Sequence, residues 1–240
     1  AIYYFRFRRF FISNGAQRTR NSSAAFWSFF FQEFCGCIFI TMVFPPVCTF
    51  FGDTWNSWIA HFFFVILADV ITVGSQVNPA VSVAIYLHSW IPFNGLVVRL
   101  LGQTLAALLV FPLLSVLTPD YIEISGPEIG EDTSLLQGMK TEFIVMLGLM
   151  LLILMATDFI GPPAHRPVIG MGIRGLVIWG TNTGPGMNPM QALGWAWFKG
   201  IDNLTASHFL VYWLAPFIGG SIAVIGWQFL NHGKILSKRI

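Results

Sequence analysis

The sequence predicts an all-α membrane protein with six transmembrane helices and two re-entrant half-helices, arranged as an inverted repeat. Of its 240 residues, 55% are hydrophobic and 10% are charged, whereas soluble domains carry about 25% charged residues. Asn-Pro pairs begin at Asn78 and Asn188, and Glu33 and Glu142 precede them by 45 and 46 residues. A repeated spacing around short, Pro-interrupted segments is typical of inverted-repeat membrane proteins, whose site forms near the midplane.

Six apolar stretches are long enough, or nearly so, to cross a bilayer, which requires about 20 residues per helix. They lie at about 24–44, 55–73, 93–117, 139–159, 168–183 and 207–230. The segments 78–88 and 188–198, at about 10 residues each, are too short to cross about 30 Å of hydrocarbon. We predict that they form half-helices, because Asn as the cap and Pro79 or Pro189 at the first helical position favour a helix start.

The chain is predicted to comprise three parts, which are a basic N-terminal segment (1–23), a channel domain (24–230) and a basic tail (231–240). The domain contains one repeat at about 24–117 and another at about 139–230. Arginines and lysines at both ends predict that both termini are cytoplasmic, and the acidic loop between the repeats then faces the opposite side. An alternative for the Arg-rich start, which has no acidic residue before Glu33, is the remnant of an organelle transit peptide.

Several short motifs are spread over most of the chain. They are Gln32-Glu33-Phe34, Asn78-Pro79-Ala80-Val81, Gly102-Gln103, Thr141-Glu142-Phe143, Thr183-Gly184-Pro185-Gly186-Met187-Asn188-Pro189 and Pro216-Phe217-Ile218-Gly219-Gly220. These motifs resemble those of the aquaporin, or major intrinsic protein, family. The block 183–196 most resembles the small basic intrinsic proteins of plants. The resemblance implies a passive channel, a homotetramer with one pore per subunit and, for this branch, residence in the endoplasmic reticulum.

The two Asn-Pro motifs are the predicted pore motif. It comprises Asn78, Pro79 and Ala80 together with Asn188, Pro189 and Met190. Two half-helices that enter from opposite faces bring their positive N-termini together near the midplane, where they repel cations. The asparagine amides can donate hydrogen bonds to the oxygen of water or of a small neutral solute. This chemistry needs neither a cofactor nor a metal.

The resemblance also implies a selectivity filter and a scaffold. Ungapped offsets from the two asparagines assign the filter to Trp58, Leu176, Pro185 and Gln191. Gln191 replaces the usual arginine and loses its fixed charge. Leu176 replaces the histidine of water-selective members, and Trp58 would either pack an apolar wall against a carbon backbone or narrow the passage. The implied scaffold is Glu33, Gln103 and Glu142, which would hydrogen-bond the loops that bear the half-helices.

A second interpretation is a pore-fold structural subunit of a larger membrane complex, with other membrane subunits as partners and little or no conduction. It is motivated by Met190, which could plug the lane, by Gln191, and by two charges inside apolar spans, Asp69 and Arg174. These two charges are predicted to pair, to mark a protein contact or to snorkel to an interface. An enzyme is not predicted, because no nucleophile, phosphate-loop or dinucleotide motif is present. A net charge of +2 without a basic run does not favour nucleic acid.

Overall fold

In a computed structural model, the described residues are 23–51, 54–72, 74–120, 122, 124–161, 165–184 and 186–231, and within these ranges the chain is helical with no strand. Most of the predicted terminal segments, at 1–22 and 232–240, therefore lie outside the described residues. Pro185 of the predicted filter and the side chain of Asp69 also lie outside them. The pairing of Asp69 with Arg174 stays a prediction.

The first half of the chain forms four helices and the second half repeats their order. The first four are α1 (Ser23–Phe51), α2 (Thr54–Ile71), α3 (Pro79–Leu87) and α4 (Phe93–Leu117). The second half contains α5 (Leu135–Met155), a π-helical turn (Ala156–Ile160), α6 (His165–Trp179), a 3-10 turn (Thr181–Thr183), α7 (Pro189–Lys199), a second 3-10 turn (Ile201–Asn203), α8 (Ala206–Phe209), another π-helical turn (Leu210–Leu214) and α9 (Ala215–Leu230).

The predicted fold class is confirmed. Within the described residues, four helical stretches are long and apolar enough to cross a membrane, at Phe26–Val43, Phe93–Leu117, Leu135–Ile160 and Ala206–Leu230, and shorter apolar helices cover Trp58–Ala68 and Pro167–Val177. The helices α3 and α7 are the half-helices. One boundary differs from the prediction of 168–183, because α6 ends at Trp179 and a 3-10 turn follows Gly180.

The two half-helices pack across the repeat boundary. Helix α3 packs against α9 of the second repeat, and α7 packs against α4 of the first. The longest interfaces join α1 to α4 and α5 to α9, and a glycine permits close approach in each. A Cβ on Gly102 would lie 2.6 Å from the Phe30 carbonyl oxygen, and one on Gly219 would lie 2.5 Å from the Phe143 carbonyl oxygen. Small residues allow such approaches between membrane helices.

A buried apolar cluster fixes α3 in place. It combines Ala80, Val81 and Ala84 of α3 with residues of α5 and α9, among them Met146, Leu149, Met150, Leu154, Ala223 and Val224. Burial of such side chains contributes about 25 cal/mol per Å² where they leave water; inside lipid, close packing carries the stabilisation instead. The cluster therefore fixes the place inside the protein where the N-terminus of α3 lies.

Candidate functional site

Both half-helices begin at an asparagine whose side chain caps the helix. Asn78 Oδ1 accepts hydrogen bonds from the N–H of Ala80 at 2.9 Å and of Val81 at 3.4 Å. Asn188 Oδ1 accepts from the N–H of Met190 at 3.1 Å. Proline occupies the first helical position in each case. The caps orient the two carboxamides so that their nitrogens point away from their own helices.

Each asparagine donates to the loop that precedes the other. Asn78 Nδ2 lies 2.8 Å from the Met187 carbonyl oxygen, and Asn188 Nδ2 lies 2.8 Å from the Val77 carbonyl oxygen. A carboxamide nitrogen has two N–H groups, so each asparagine keeps a second donor. The tips of α3 and α7 are therefore joined directly, and one N–H of each asparagine remains for another acceptor.

Val77 and Met187, which supply those two carbonyls, have an unusual backbone conformation. Their φ angles are +50° and +27°, in a region that L residues rarely adopt and that costs about 1–3 kcal/mol where it occurs. Such strain persists only where neighbouring contacts hold it. In this protein the contacts come from two buried carboxylates.

Glu33 holds the first loop. Its oxygens accept hydrogen bonds from the N–H of Val77 at 2.8 Å and from that of Gln76 at 2.9 and 3.1 Å. Gln103 Nε2 donates to the same carboxylate at 2.8 Å, and the guanidinium of Arg99 pairs with it. Gln103 Nε2 is also 2.9 Å from Ser82 Oγ on α3. The predicted scaffold residues Glu33 and Gln103 therefore lie together beneath the loop.

Glu142 holds the second loop in an equivalent way but with different partners. Its oxygens accept from the N–H of Gly186 at 2.9 Å, from the N–H of Met187 at 2.5 Å and from the Thr183 hydroxyl at 2.6 Å. Tyr212 OH donates to the Thr183 carbonyl oxygen at 2.7 Å. The two carboxylates thus bind the N–H groups of the same residues whose carbonyls accept from the opposite asparagine.

A cavity of about 400 Å³ runs past the two asparagines. Its apolar wall comes from α2, α5 and α6 and includes Val65, Ala68, Leu149, Ile153, Ile169, Ile173 and Val177. Its polar wall comes from α1, the two loops and the first turn of α7 and includes Thr41, Ser75, Gln76, Asn78, Asn188 and Gln191. The described residues that line it include no Asp, Glu, Lys or Arg. They do include one titratable residue, His165. The cavity therefore suits an uncharged occupant.

The architecture and the sequence together match one family. A model of the major intrinsic protein family matches residues 16–227. The chain belongs to the major intrinsic protein family. This major intrinsic protein is 27% identical to Aquaporin-1 of Mus musculus over 164 residues, which cover 65% of the chain and 59% of that relative. The matched part thus spans less than two thirds of Aquaporin-1.

Two further comparisons cover more of the chain. The major intrinsic protein is 26% identical over 225 residues to Aquaporin Z of Brucella melitensis, which is 86% of the chain and 95% of that relative. The X-ray structure of the aquaglyceroporin from Plasmodium falciparum superposes with a TM-score of 0.69, covering 83% of the chain and 94% of that structure at 21% identity. The last match shows a shared fold.

The predicted filter residues of this major intrinsic protein do not all line the cavity. Gln191 lines the cavity. Trp58 Nε1 donates to the Met171 carbonyl oxygen on α6 at 2.8 Å, and Leu176 packs towards Gly148 of α5. Neither Trp58 nor Leu176 is among the described residues that line the cavity. The filter assignment stays a prediction.

Met190 of the pore motif is 1% exposed and packs with Cys37, Ala106 and Ala107 in a cluster between α1, α4 and α7. It therefore lies in the core of this major intrinsic protein and does not line the cavity. The first-repeat counterpart Ala80 is equally buried. In both repeats, the residue that follows the Asn-Pro pair therefore packs on the side of the half-helix that faces away from the cavity.

Sequence reasoning missed Arg99. Arg99 is 5% exposed and lies one helical turn before Gln103 on α4. Its guanidinium carbon is also 4.8 Å from the centre of the Phe29 ring, within the range of a cation–π interaction. A charged residue inside an apolar span is rare and usually has a partner, so the position of Arg99 in the third span was a usable signal.

The loop between the repeats lies over one end of the cavity, which Ser125, Gly126 and Pro127 help to line. Glu128 fastens it to α7, because Glu128 Oε1 is 2.7 Å from Lys199 Nζ and 2.8 Å from Trp195 Nε1. The hydrogen bond from Lys199 is the main reason that the pKa of Glu128 is lowered. This loop therefore shapes the mouth of the cavity.

Proposed function

We propose that this chain forms a passive transmembrane channel for water and small uncharged solutes. The observation that carries the proposal is the pair of half-helix tips, which are joined by the asparagines and border a cavity whose described lining has no permanently charged side chain. Helix N-termini carry partial positive charge, which disfavours cations at the midplane. Neutral molecules with an oxygen acceptor can use the second N–H of each asparagine.

The relatives support the same proposal. Proteins named as aquaporins share the family, and a protein named as an aquaglyceroporin shares the fold. By the resemblance to the small basic intrinsic proteins, we further propose a homotetramer in the membrane of the endoplasmic reticulum, with both termini in the cytoplasm. Within this proposal, Asn78 and Asn188 are the central donors, and Glu33, Gln103 and Glu142 hold their loops.

We also propose that the selectivity filter consists of Trp58, Leu176, Pro185 and Gln191, as the sequence predicts. Gln191, in the cavity wall, is the member with support from the geometry. Because a glutamine has no fixed charge, exclusion of cations would depend more on the two helix N-termini than in a channel with arginine at that position.

The test is stopped-flow light scattering of proteoliposomes that contain the purified chain, under a sucrose gradient for water and a glycerol gradient for solute. The matched control is the Asn78→Asp/Asn188→Asp variant, which keeps the size of both side chains but replaces the donor amides with carboxylates. We expect fast flux in the natural chain and flux near that of empty liposomes in the variant. Equal flux in the natural chain and empty liposomes, with correctly folded protein, would reject the channel.

That rejecting outcome would support the structural-subunit interpretation. The burial of Met190 away from the cavity removes one of its motivations. Stoichiometry provides a separate test, because a channel of this family is expected to purify as a tetramer of one chain. A single copy retained among unrelated membrane subunits would instead favour a structural role.

A further inference from the structure

Gln76 is a polar residue beside the cavity whose side-chain amide makes no hydrogen bond to the described residues. It lies two residues before Asn78 and lines the cavity. Both Oε1 and Nε2 are buried, and neither has a hydrogen-bond partner among the described residues. Its neighbour Ser75 also lines the cavity, but the Ser75 hydroxyl is paired with the Thr72 hydroxyl at 2.6 Å. Gln76 therefore has unused donors and acceptors close to the cavity, and these two atoms are buried rather than exposed in it.

The backbone of Gln76 is held by Glu33, whereas no hydrogen bond among the described residues holds its side-chain amide. Its N–H donates to both oxygens of Glu33, at 2.9 and 3.1 Å. The terminal torsion of a glutamine side chain has broad preferences, so the plane of the amide can turn, and a change of rotamer at the inner torsions would bring it to the cavity without moving the loop. A buried amide without partners is unfavourable because it has lost its hydrogen bonds to water. A solute in the lane can restore them.

We propose that Gln76 determines the solute preference of the channel by binding the vicinal diol of a small neutral polyol; this inference rests on the proposed channel function. A carboxamide presents a donor and an acceptor side by side. Two hydroxyl groups on adjacent carbons match that pair, because one accepts from Nε2 while the other donates to Oε1. A molecule whose hydroxyls are further apart fits that pair less closely.

The apolar surroundings favour the same class of solute. Val65, Ile153 and Ile173 line the cavity from α2, α5 and α6 and suit the C–H groups of a polyol. Thr41 on α1 is a second lining residue whose hydroxyl is buried without a described partner. A hydroxyl donates and accepts through one atom, so Thr41 lacks the separate, side-by-side donor and acceptor atoms of Gln76.

The test compares two isomers of equal size, 1,2-propanediol and 1,3-propanediol, in proteoliposomes. Permeability is measured by stopped-flow light scattering, with the value for empty liposomes subtracted, and water permeability is measured on the same preparations. For the natural chain we expect the 1,2-isomer to pass about fivefold faster, the factor that corresponds to one additional neutral hydrogen bond of about 1 kcal/mol. Equal passage of the two isomers through a water-conducting natural chain would overturn the proposal without any variant.

Three variants locate the effect. Gln76→Met keeps the length of the side chain and removes its hydrogen-bonding atoms, so we expect the isomer ratio to fall to about one while water permeability stays within about twofold. Thr41→Val should slow both isomers equally. Gln228→Met, on α9 and not among the described residues that line the cavity, removes a hydrogen bond to the Leu87 carbonyl oxygen at 3.3 Å and should change neither value. A Gln76→Met channel that keeps the natural ratio would also overturn the proposal.

The outcomes separate this inference from the proposed function. If the natural chain conducts neither water nor diols, the channel itself is rejected, and the role of Gln76 is rejected with it. If water passes and the isomers are not distinguished, the channel stands and the role of Gln76 alone is rejected.

Discussion

Arg99 donates a hydrogen bond to Glu33, and both side chains are buried between α1 and α4. Glu33 in turn binds the N–H groups of Gln76 and Val77. In the second repeat, Glu142 binds its loop with a hydroxyl contact from Thr183 where Glu33 has a cation. Each repeat therefore stabilises a buried carboxylate, the first with a guanidinium and the second with a hydroxyl group.

Arg99→Met should destabilise the protein strongly. The change leaves the Glu33 carboxylate buried without its cation, and removal of one partner of a buried ion pair costs about 3–5 kcal/mol. The unfolding midpoint in detergent, followed by intrinsic fluorescence during heating, measures the effect.

The double variant Arg99→Met/Glu33→Gln is its control. Because the glutamine carries no charge, the double variant should recover part of the lost stability, although one loop hydrogen bond is weaker. If the double variant is no more stable than Arg99→Met, the charge of Glu33 is not what the guanidinium neutralises.

Glu33→Gln should be more destabilising than Glu142→Gln. The first change leaves the Arg99 guanidinium buried and unpaired, at about 3–5 kcal/mol. The second change places the NH₂ group of the new glutamine against a donor of Gly186, Met187 or Thr183. One hydrogen bond is therefore lost, which costs about 1–3 kcal/mol of stability. Thermal midpoints of the two variants, purified in the same detergent, give the order directly, and the reverse order would show that Arg99 is satisfied by other groups.

Gly219→Ala should weaken the contact between α5 and α9. A Cβ at this position would lie 2.5 Å from the Phe143 carbonyl oxygen, so the helices must separate, at about 1–3 kcal/mol for overpacking. Gly226→Ala is the matched control on the same helix, because a Cβ there has no atom within 4 Å. Gly226→Ala should be neutral or stabilising by up to about 1 kcal/mol, as alanine favours helices over glycine. Equal thermal midpoints for the two variants would contradict the close packing.

The contact of Glu128 with Lys199 and Trp195 should be lost in acid. The pKa of Glu128 is lowered, first by the hydrogen bond from Lys199 and then by that from Trp195. A carboxyl group with a lowered pKa in the folded state contributes stability above its ordinary pKa and loses it as the pH falls through the lowered value.

Glu128→Gln tests this dependence. Because the pair is about half exposed, its contribution should be below about 1 kcal/mol. The variant should have a slightly lower unfolding midpoint than the natural chain at about pH 7, and the difference should disappear as the pH falls below the lowered pKa of Glu128, where both side chains are uncharged. A difference that persists in acid would show that Glu128 acts through packing rather than charge.

Much of the fold followed from local patterns. The half-helices were predicted to begin after Asn78 and Asn188 because caps and first-turn prolines act within a few residues. The end of α6 was predicted four residues too late, since Gly180 and the turn that brings Thr183 to Glu142 interrupt the helix before the apolar composition changes. Apolar composition identifies a span, but contacts distant in the sequence set its last turn.

The residues that line the cavity were harder to predict than the two Asn-Pro motifs beside it. An offset counted from Asn188 passes through a loop and a 3-10 turn before it reaches α6, and an error of one residue rotates a helical side chain by about 100°. Ile169, Ile173 and Val177, spaced by four residues, line the cavity, while Leu176 packs towards α5. The rotation of α6 depends on packing that one sequence does not display.

The exchange of hydrogen bonds between the two loops has a consequence for biosynthesis. Val77 must wait for Asn188, and α3 must wait for α9, which is synthesised after the other described helices. A nascent chain that stops after the first repeat holds a short helix inside the protein whose capping asparagine has no opposite carbonyl. The contacts that fix α3 and the two loops are therefore completed only when α9 has been synthesised and inserted.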